Sequence, residues 1–351
     1  MNVLRRQSPP GSSGSDSDIR CDIDVVSKGV DAPCTAAVPL APATRAHKAP
    51  SARRGRAPGF APSPEELEQL ITAVDAALPG GREQVHRQLV SGGEEGVTQT
   101  QLRRWLRARG WDPAKAGRDL AAHAAWRAEF VPGGRIQEAE VANEIAQGKV
   151  FLQGPDRNGR GISIFIGGKH FPRVDARECH RFIYYAIDAT IALADPARNP
   201  AGRTTGVLCM KDFGWRNLDV MGGINIARAV HLHYVERLDA LYIHGTSAAF
   251  QRCYKLVEPF IDPVTRSKIV LLPADEAAAR EILDKGLGLE NLPPFLGGTA
   301  ELRPIDDAWA VILAQRAQQA QQEGQPNGAG EGVRANMGER DAGSDEEFFE
   351  A

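Results

Sequence analysis

The sequence predicts an α/β protein, in which an N-terminal helical region precedes a mixed or parallel sheet covered by helices. Three observations carry that prediction. Between residues 63 and 124, three helix starts are each written in capping residues. From residue 162 to 283, short β-prone runs alternate with amphipathic helical stretches, the pattern of a sheet with crossover connections. On both flanks large apolar residues give way to Pro, Gly, Ser, Ala, Gln and acids. Such segments cannot bury enough surface to offset the entropy of ordering them.

Each element has its own signal. Ser63, Pro64, Glu65 and Glu66 spell an N-cap, a proline at the first helical position and a capping-box glutamate. Leu67, Leu70, Ile71, Val74 and Leu78 follow at helical spacing, and Pro79, Gly80 and Gly81 stop the helix. Thr98 with Gln101 repeats the capping box ahead of Leu102, Trp105 and Leu106. Asp112 and Pro113 open a third helix with Ala116, Leu120 and Ala124 on one face. After Gly159 and Gly161 the run 162–166 is a predicted strand, and Asp175 with Glu178 caps a helix striped by Cys179, Phe182, Ile183, Ala186 and Ile187. Strands are then expected near 204–210, 238–243 and 268–272, with helices near 222–235, 247–258 and 275–283. A short helical piece follows the Gly297–Gly298 pair, with Ala308, Val311, Ile312 and Leu313 apolar. The predicted plan is a disordered segment at 1–61, a helical region at 62–147, an α/β domain at 148–300, a short helix at 301–317 and a disordered acidic tail at 318–351.

Composition narrows the function. The formal net charge of -3 gives no reason to expect nucleic-acid binding. The five cysteines, at 21, 34, 179, 209 and 253, are odd in number and form no C-x-x-C pair. They fit reduced thiols in a cytosol-like compartment. No run approaches the apolar length of a membrane span. The opening MNVLRRQSPPGSSGSDSD lacks an apolar signal core, so secretion is not expected, while organellar targeting stays open. Enzyme signatures are missing. GGKH at 167–170 lacks the upstream glycine and the Ser/Thr of a phosphate loop, and no nucleotide or nucleophile-elbow motif occurs. His231 and His233 are two apart and share no helix face, and His123, His170, His180 and His244 are scattered structural or surface candidates. No catalytic pair, metal site or cofactor is expected.

Four stretches carry a resemblance. They are LRRWLRARGWDPAKAGRDLAAHAAWRAEF at 102–130, GPDRNGRGISIFI at 154–166, HYVERLDALYIHGTSAAFQRCYKLVEPFIDPVTRSKIVLL at 233–272, and ENLPPFLGG at 290–298. In order and spacing they resemble the Sec14-like, or CRAL-TRIO, lipid-binding family over roughly 64–300. The departures are Gly161 and Val235 in place of family prolines, and Gly245-Thr246-Ser247 where the family often has Asn-Ala-Pro. The resemblance implies a helical unit packed on a lobe whose sheet floors an apolar pocket closed by a movable helix.

The family pattern, carried over residue by residue, supplies the expected site. Pocket lining would come from Ile164, Phe165 and Ile166, from Val207 and Leu208, and from Leu241, Tyr242 and Ile243, with the inward face of each strand left open. The gate helix would present Ala248, Phe250, Cys253, Leu256 and Val257, with Gly245 and Ser247 at its hinge and the glycine making that hinge mobile. Glu236, Thr265 and Lys268 would hold a phosphoinositide headgroup, with Arg107 and Arg109 completing the site and Arg104 ranked behind them. The expected activity is non-enzymatic exchange or presentation of a membrane lipid, phosphatidylinositol or another glycerophospholipid, by a monomeric cytoplasmic protein in transient contact with membranes. The alternatives are a carrier of a tocopherol, retinoid or sterol-like hydrophobe, a scaffold with a filled pocket, and a lipid-modifying enzyme.

Overall fold

The computed structural model describes residues 62–172, 176–307 and 309–314. The two predicted disordered tails, the Asp175 cap and Ala308 lie outside the described residues. Four helices open the fold: α1 (Pro64–Ala77), α2 (Gly81–Ser91), α3 (Gln99–Ala108) and α4 (Pro113–Phe130). The Ser63–Glu66 capping box forms in full, and Asp112 accepts the Lys115 N–H. At α3 only half of the box forms. Thr98 accepts from the Gln101 N–H, while the Gln101 side chain turns to Glu94 at 3.0 Å. Leu70, Val74, Val85, Leu89, Leu106 and Leu120 are fully enclosed between these helices.

The lobe begins with the short α5 (Ala142–Ile145) and β1 (Val150–Gln153). Alternation then follows: β2 (Gly161–Ile166), α6 (Ala176–Ala192), β3 (Thr204–Cys209), α7 (Val220–Leu232), β4 (Leu238–His244), α8 (Ala248–Val257), α9 (Pro263–Ser267), β5 (Ile269–Leu271) and α10 (Glu276–Leu287). The five strands lie side by side in chain order; β1 is antiparallel to β2 and the others are parallel. The sheet is therefore mixed.

The two faces of the sheet differ. Cross-strand registers place Ser163, Gly206, Leu241 and Ile269 in one row and Phe165, Leu208 and Ile243 in the next; these rows face α6, α7 and α8. The alternate residues Ile162, Ile164, Val207 and Tyr242 pack with Ala279, Leu283 and Leu287 of α10. Beyond Gly298 the chain returns to the sheet. The Leu152 N–H donates to the Arg303 carbonyl at 2.9 Å, and Pro304 bridges Phe151. A last helical stretch, 305–307 and 309–314, buries Trp309 and Ile312 against α6.

Candidate functional site

Between the sheet and α6, α7 and α8 lies a cavity of about 350 Å³. Its walls are Phe165, Leu208, Leu241 and Ile243 from the sheet, Phe182 and Ile183 from α6, and Ile226 and Val230 from α7. Several small residues also line it, Ala186 on α6, Gly222, Gly223 and Ala227 on α7, and Gly206 on β3; at the glycines neighbouring atoms already occupy the Cβ position, Val257 at 2.7 Å for Gly223 and Leu241 at 2.7 Å for Gly206. An interior normally closes to crystal-like density, so the remaining space is a departure from ordinary core packing.

Half of the expected strand residues line this space. Ile164, Ile166, Val207 and Tyr242 do not; they sit on the opposite face, in the core under α10. The correction follows from the two-residue period of a strand, since neighbours must point to opposite faces.

The expected gate helix behaves similarly. Phe250, Cys253 and Val257 face the cavity with Tyr254, which was not singled out. Their spacing of three, four and seven defines one helix face. Ala248 and Leu256 fall on the other side and are exposed, Leu256 at 51%. Ser247 caps α8: its Oγ accepts the Phe250 N–H at 3.1 Å and donates to the Phe213 carbonyl at 2.6 Å. Gly245 has φ +68°, and a Cβ there would stand 2.9 Å from the Lys211 Cα. The glycine thus answers a left-handed turn and a close backbone approach, a packing reason rather than the mobility expected of it.

The segments over the cavity expose several large apolar side chains. Trp215, Met221 and Ile226 lie between β3 and the middle of α7, and Leu256, Phe260 and Val264 run from α8 into α9. Cations attend them: the Arg252 guanidinium lies 5.7 Å from the Trp215 ring, and that of Arg216 5.5 Å from Phe171.

Polar groups gather at the two ends of the parallel strands. At the edge where β4 and β5 begin, Lys268 Nζ lies 3.7 Å from Glu236 Oε2. Glu236 has φ +56°, a left-handed conformation uncommon outside glycine. Thr265 lines the cavity and so does Arg237, whereas the expected headgroup residues Glu236 and Lys268 are not part of its lining. Arg107 and Arg109 do not reach the cavity wall. Arg109 Nε donates to Asp119 Oδ2 at 2.5 Å, and its guanidinium stacks over Trp105. The α3 residue turned toward the lobe is Arg104, which is buried, donates to the Ala201 carbonyl at 3.3 Å and pairs with Glu95 at 2.7 Å. Arg237 donates to the same carbonyl and to Gly202. Burial, and then the Arg104 charge, lower the Arg237 guanidinium to about 10.

At the opposite edge, where β2 and β3 end, Lys149 pairs with buried Glu144 and lies 2.9 Å from His170 Nδ1. His170 Nε2 is 3.2 Å from Asp219 Oδ2. Lys149, His170, Asn217 and Asp219 all line the cavity. The hydrogen bond from His170 is the main reason the Asp219 carboxyl is held below its usual range. The sequence carried no local signal for this group, because its members come from three separate segments, 144–149, 170 and 217–219.

A second, larger recess of about 1040 Å³ lies on the helical side, and Tyr234 and Arg237 line both spaces. Several polar residues in and behind its wall pair with one another. Arg127 and Tyr234 both bond Asp188 at 2.7 Å, and Glu94 holds His123 at 2.8 Å. His123 Nδ1 in turn meets His233 Nδ1 at 3.1 Å. Burial, and then His123, push the His233 imidazole down to about 2. Burial raises the Cys179 thiol to about 11 and the Cys209 thiol to about 12, so neither is a ready nucleophile near neutral pH. Among the described residues there is no group of three or more potential metal ligands, and no helix long and apolar enough to cross a membrane.

Comparison with known proteins places this geometry. Residues 145–298 match the family model described as the CRAL/TRIO domain. A CRAL-TRIO domain-containing protein of Schizosaccharomyces pombe is 25% identical over 55% of this chain and 19% of its own length. One of Saccharomyces cerevisiae is 28% identical over 61% of this chain and 75% of its own. A phosphatidylinositol transfer protein of Eremothecium gossypii is 26% identical over 57% of this chain and 47% of its own. The chain thus spans between about a fifth and three quarters of these relatives.

Proposed function

We propose that this chain, which carries a CRAL-TRIO domain of the Sec14-like family, takes a membrane lipid into the cavity beneath α8 and exchanges or presents it at membrane surfaces. The observation that carries the reading is the apolar hollow itself, about 350 Å³ between sheet and helices, within the range of about 300–1,000 Å³ typical of ligand sites. An acyl chain of about sixteen methylenes needs roughly 13 kcal/mol of apolar shelter to leave a bilayer, at ~0.8 kcal/mol each. A recess lined by apolar side chains of both sheet and helices suits that need better than a flat surface. Two acyl chains require α8 to move outward. The exposed Trp215, Leu256, Phe260 and Val264, with Arg252 and Arg216 beside them, suit insertion at a membrane interface during that opening. On this reading the protein acts as a carrier, not an enzyme, at cytoplasmic membrane surfaces.

Phosphatidylinositol is the proposed ligand. Lys268 would pair with phosphate oxygens, Thr265 would donate a hydroxyl hydrogen bond, and Glu236 would accept from inositol hydroxyls or orient the lysine. One relative is named a phosphatidylinositol transfer protein, which agrees with this choice. Organic extraction of the purified protein, followed by vesicle exchange with labelled phosphatidylinositol and phosphatidylcholine, tests both parts. A bound lipid and measurable exchange are expected, and Lys268→Ala should lower phosphatidylinositol exchange at least about tenfold while sparing phosphatidylcholine. Equal loss for both lipids rejects the headgroup assignment, and no lipid extracted or exchanged rejects the carrier.

A further inference from the structure

Exposed apolar side chains concentrate in one part of the molecule. Trp215, Met221, Ile226, Leu256, Phe260 and Val264 are between 49% and 60% exposed, on the segment before α7, on α7 itself and from α8 into α9. Helices α7 and α8 pack together here, with Val257 filling the Cβ position of Gly223. Apolar surface gathered on adjoining elements marks an interaction site. The same elements carry cations. Arg216, Arg228, Arg252 and Lys255 are exposed and take part in no ion pair among the described residues, whereas Arg266 and Lys268 are answered by Glu258 and Glu236.

Elsewhere exposed apolar groups keep acidic company. Ile282 shares α10 with Glu276, Glu281 and Asp284, and Val311 and Leu313 follow Asp306 and Asp307. The chain itself contains a stretch that matches the first surface and not these. Beyond the described residues it runs Asp345, Glu346, Glu347, Phe348, Phe349 and Glu350. Four carboxylates flank two adjacent aromatic rings, and they face four unpaired cations set among exposed apolar side chains. Opposite potentials favour that pairing, while the acids of α10 repel the same stretch. Length permits the contact. Thirty residues, 315–344, separate Ala314 from Asp345. Extended at about 3.3 Å each, they reach about 100 Å, several times the ~18 Å radius of gyration of a domain of about 250 residues. A tethered partner also keeps an effective concentration that dilution does not lower.

We infer that residues 345–350 of this chain dock on the apolar and cationic surface of α7, α8 and α9, and compete there with membranes. The two phenylalanines cover apolar groups such as Trp215 and Leu256, and the carboxylates lie against Arg252 and Lys255. An anionic membrane offers the same pair of attractions, an apolar interface and negative charge. Tail and membrane therefore exclude each other, and the tail raises the negative charge a membrane needs to recruit the protein. That competition rests on the membrane reading proposed above, whereas the docking does not.

The test compares the full-length protein with its Phe348→Ser/Phe349→Ser variant. Zero-length carbodiimide coupling in dilute solution, followed by peptide mass spectrometry of the monomeric product, should join Glu346 or Glu347 to Lys255. The double serine variant should lose most of that product. Flotation with phosphatidylcholine vesicles containing phosphatidylserine should show the variant binding at least about fivefold more tightly, because a surface open about a fifth of the time loses about fivefold in apparent affinity. No coupling to Lys255, or coupling only between two chains, overturns the docking. Measurable but equal vesicle binding by the two proteins overturns the competition while the membrane reading stands. If neither protein binds vesicles, the membrane reading fails and the coupling decides the docking alone. If the serine variant fails to fold, flotation of Glu346→Ala/Glu347→Ala reads the competition in its place.

Discussion

The same strands build two unlike surfaces. Toward α10 the sheet presents Ile162, Ile164, Val207 and Tyr242, which interlock with Ala279, Leu283 and Leu287 into solid core. Toward α6, α7 and α8 it presents Phe165, Leu208, Leu241 and Ile243, equally apolar, yet a hollow remains. Hydrophobicity therefore does not separate core from cavity. What separates them is how the opposing layer packs: the α10 residues Ala279, Leu283 and Leu287 join the sheet in one core cluster, whereas α6, α7 and α8 stand over a space lined by Phe182, Ile183, Ile226 and Val230.

Truncations should break the comparison most sharply. Leu283→Ala opens a void in packed core and should cost about 2–5 kcal/mol. Leu241→Ala merely enlarges space already present and should cost under about 1.5 kcal/mol by its lost contacts alone. Urea denaturation of the two variants checks this, and equal losses would show that the hollow is collapsed in solution. Enlargements should reverse the order. Ala279→Phe has no room beneath α10 and should destabilise by about 1–3 kcal/mol. Ala227→Phe points into the cavity, so its stability should change by less than about 1 kcal/mol while lipid capture falls at least about tenfold.

A smaller effect comes from the charge network behind the cavity wall. With its folded pKa pushed down to about 2, half-buried His233 stays neutral while the unfolded chain's histidine, near 6.5, takes up a proton. The unfolded state then binds more protons, so stability is lost as pH falls below about 6.5. At pH 5.5 the loss is about 1.4 kcal/mol. Thermal melts at pH 7.5 and 5.5 should show a difference that shrinks in His233→Gln. Asp219 and Glu94, whose carboxyls are also held low, add their losses only at more acid pH.

The fold was legible where local signals agree. Ser63 and Asp112 capped the helices they were expected to cap, and the strand–helix alternation from β2 to α10 follows the sequence pattern. Four elements escaped, the short α5 and α9 among them. Helix α2 starts at Gly80 with no side-chain cap and buries only Val85 and Leu89. Strand β1 is four residues long and buried throughout, so it shows no alternation to find. The orientation of the other strands was hidden for a related reason, because a sheet covered on both faces is apolar on both. For α8 the three-and-four spacing of Phe250, Cys253, Tyr254 and Val257 could have excluded Ala248 and Leu256 beforehand. The partnership of Lys149, His170 and Asp219 could not be found from any window, since tertiary folding alone assembles it.

The returning segment after Gly298 has a practical reach. The family match stops at residue 298, but the outer edge of β1 is covered by Arg303 and Pro304, and Trp309 and Ile312 seal the back of α6. A fragment trimmed to the matched region would bare unpaired strand backbone and a greasy helix flank, an invitation to self-association. Homology borders and folding borders differ here, and it is the latter that any dissection of this chain must respect.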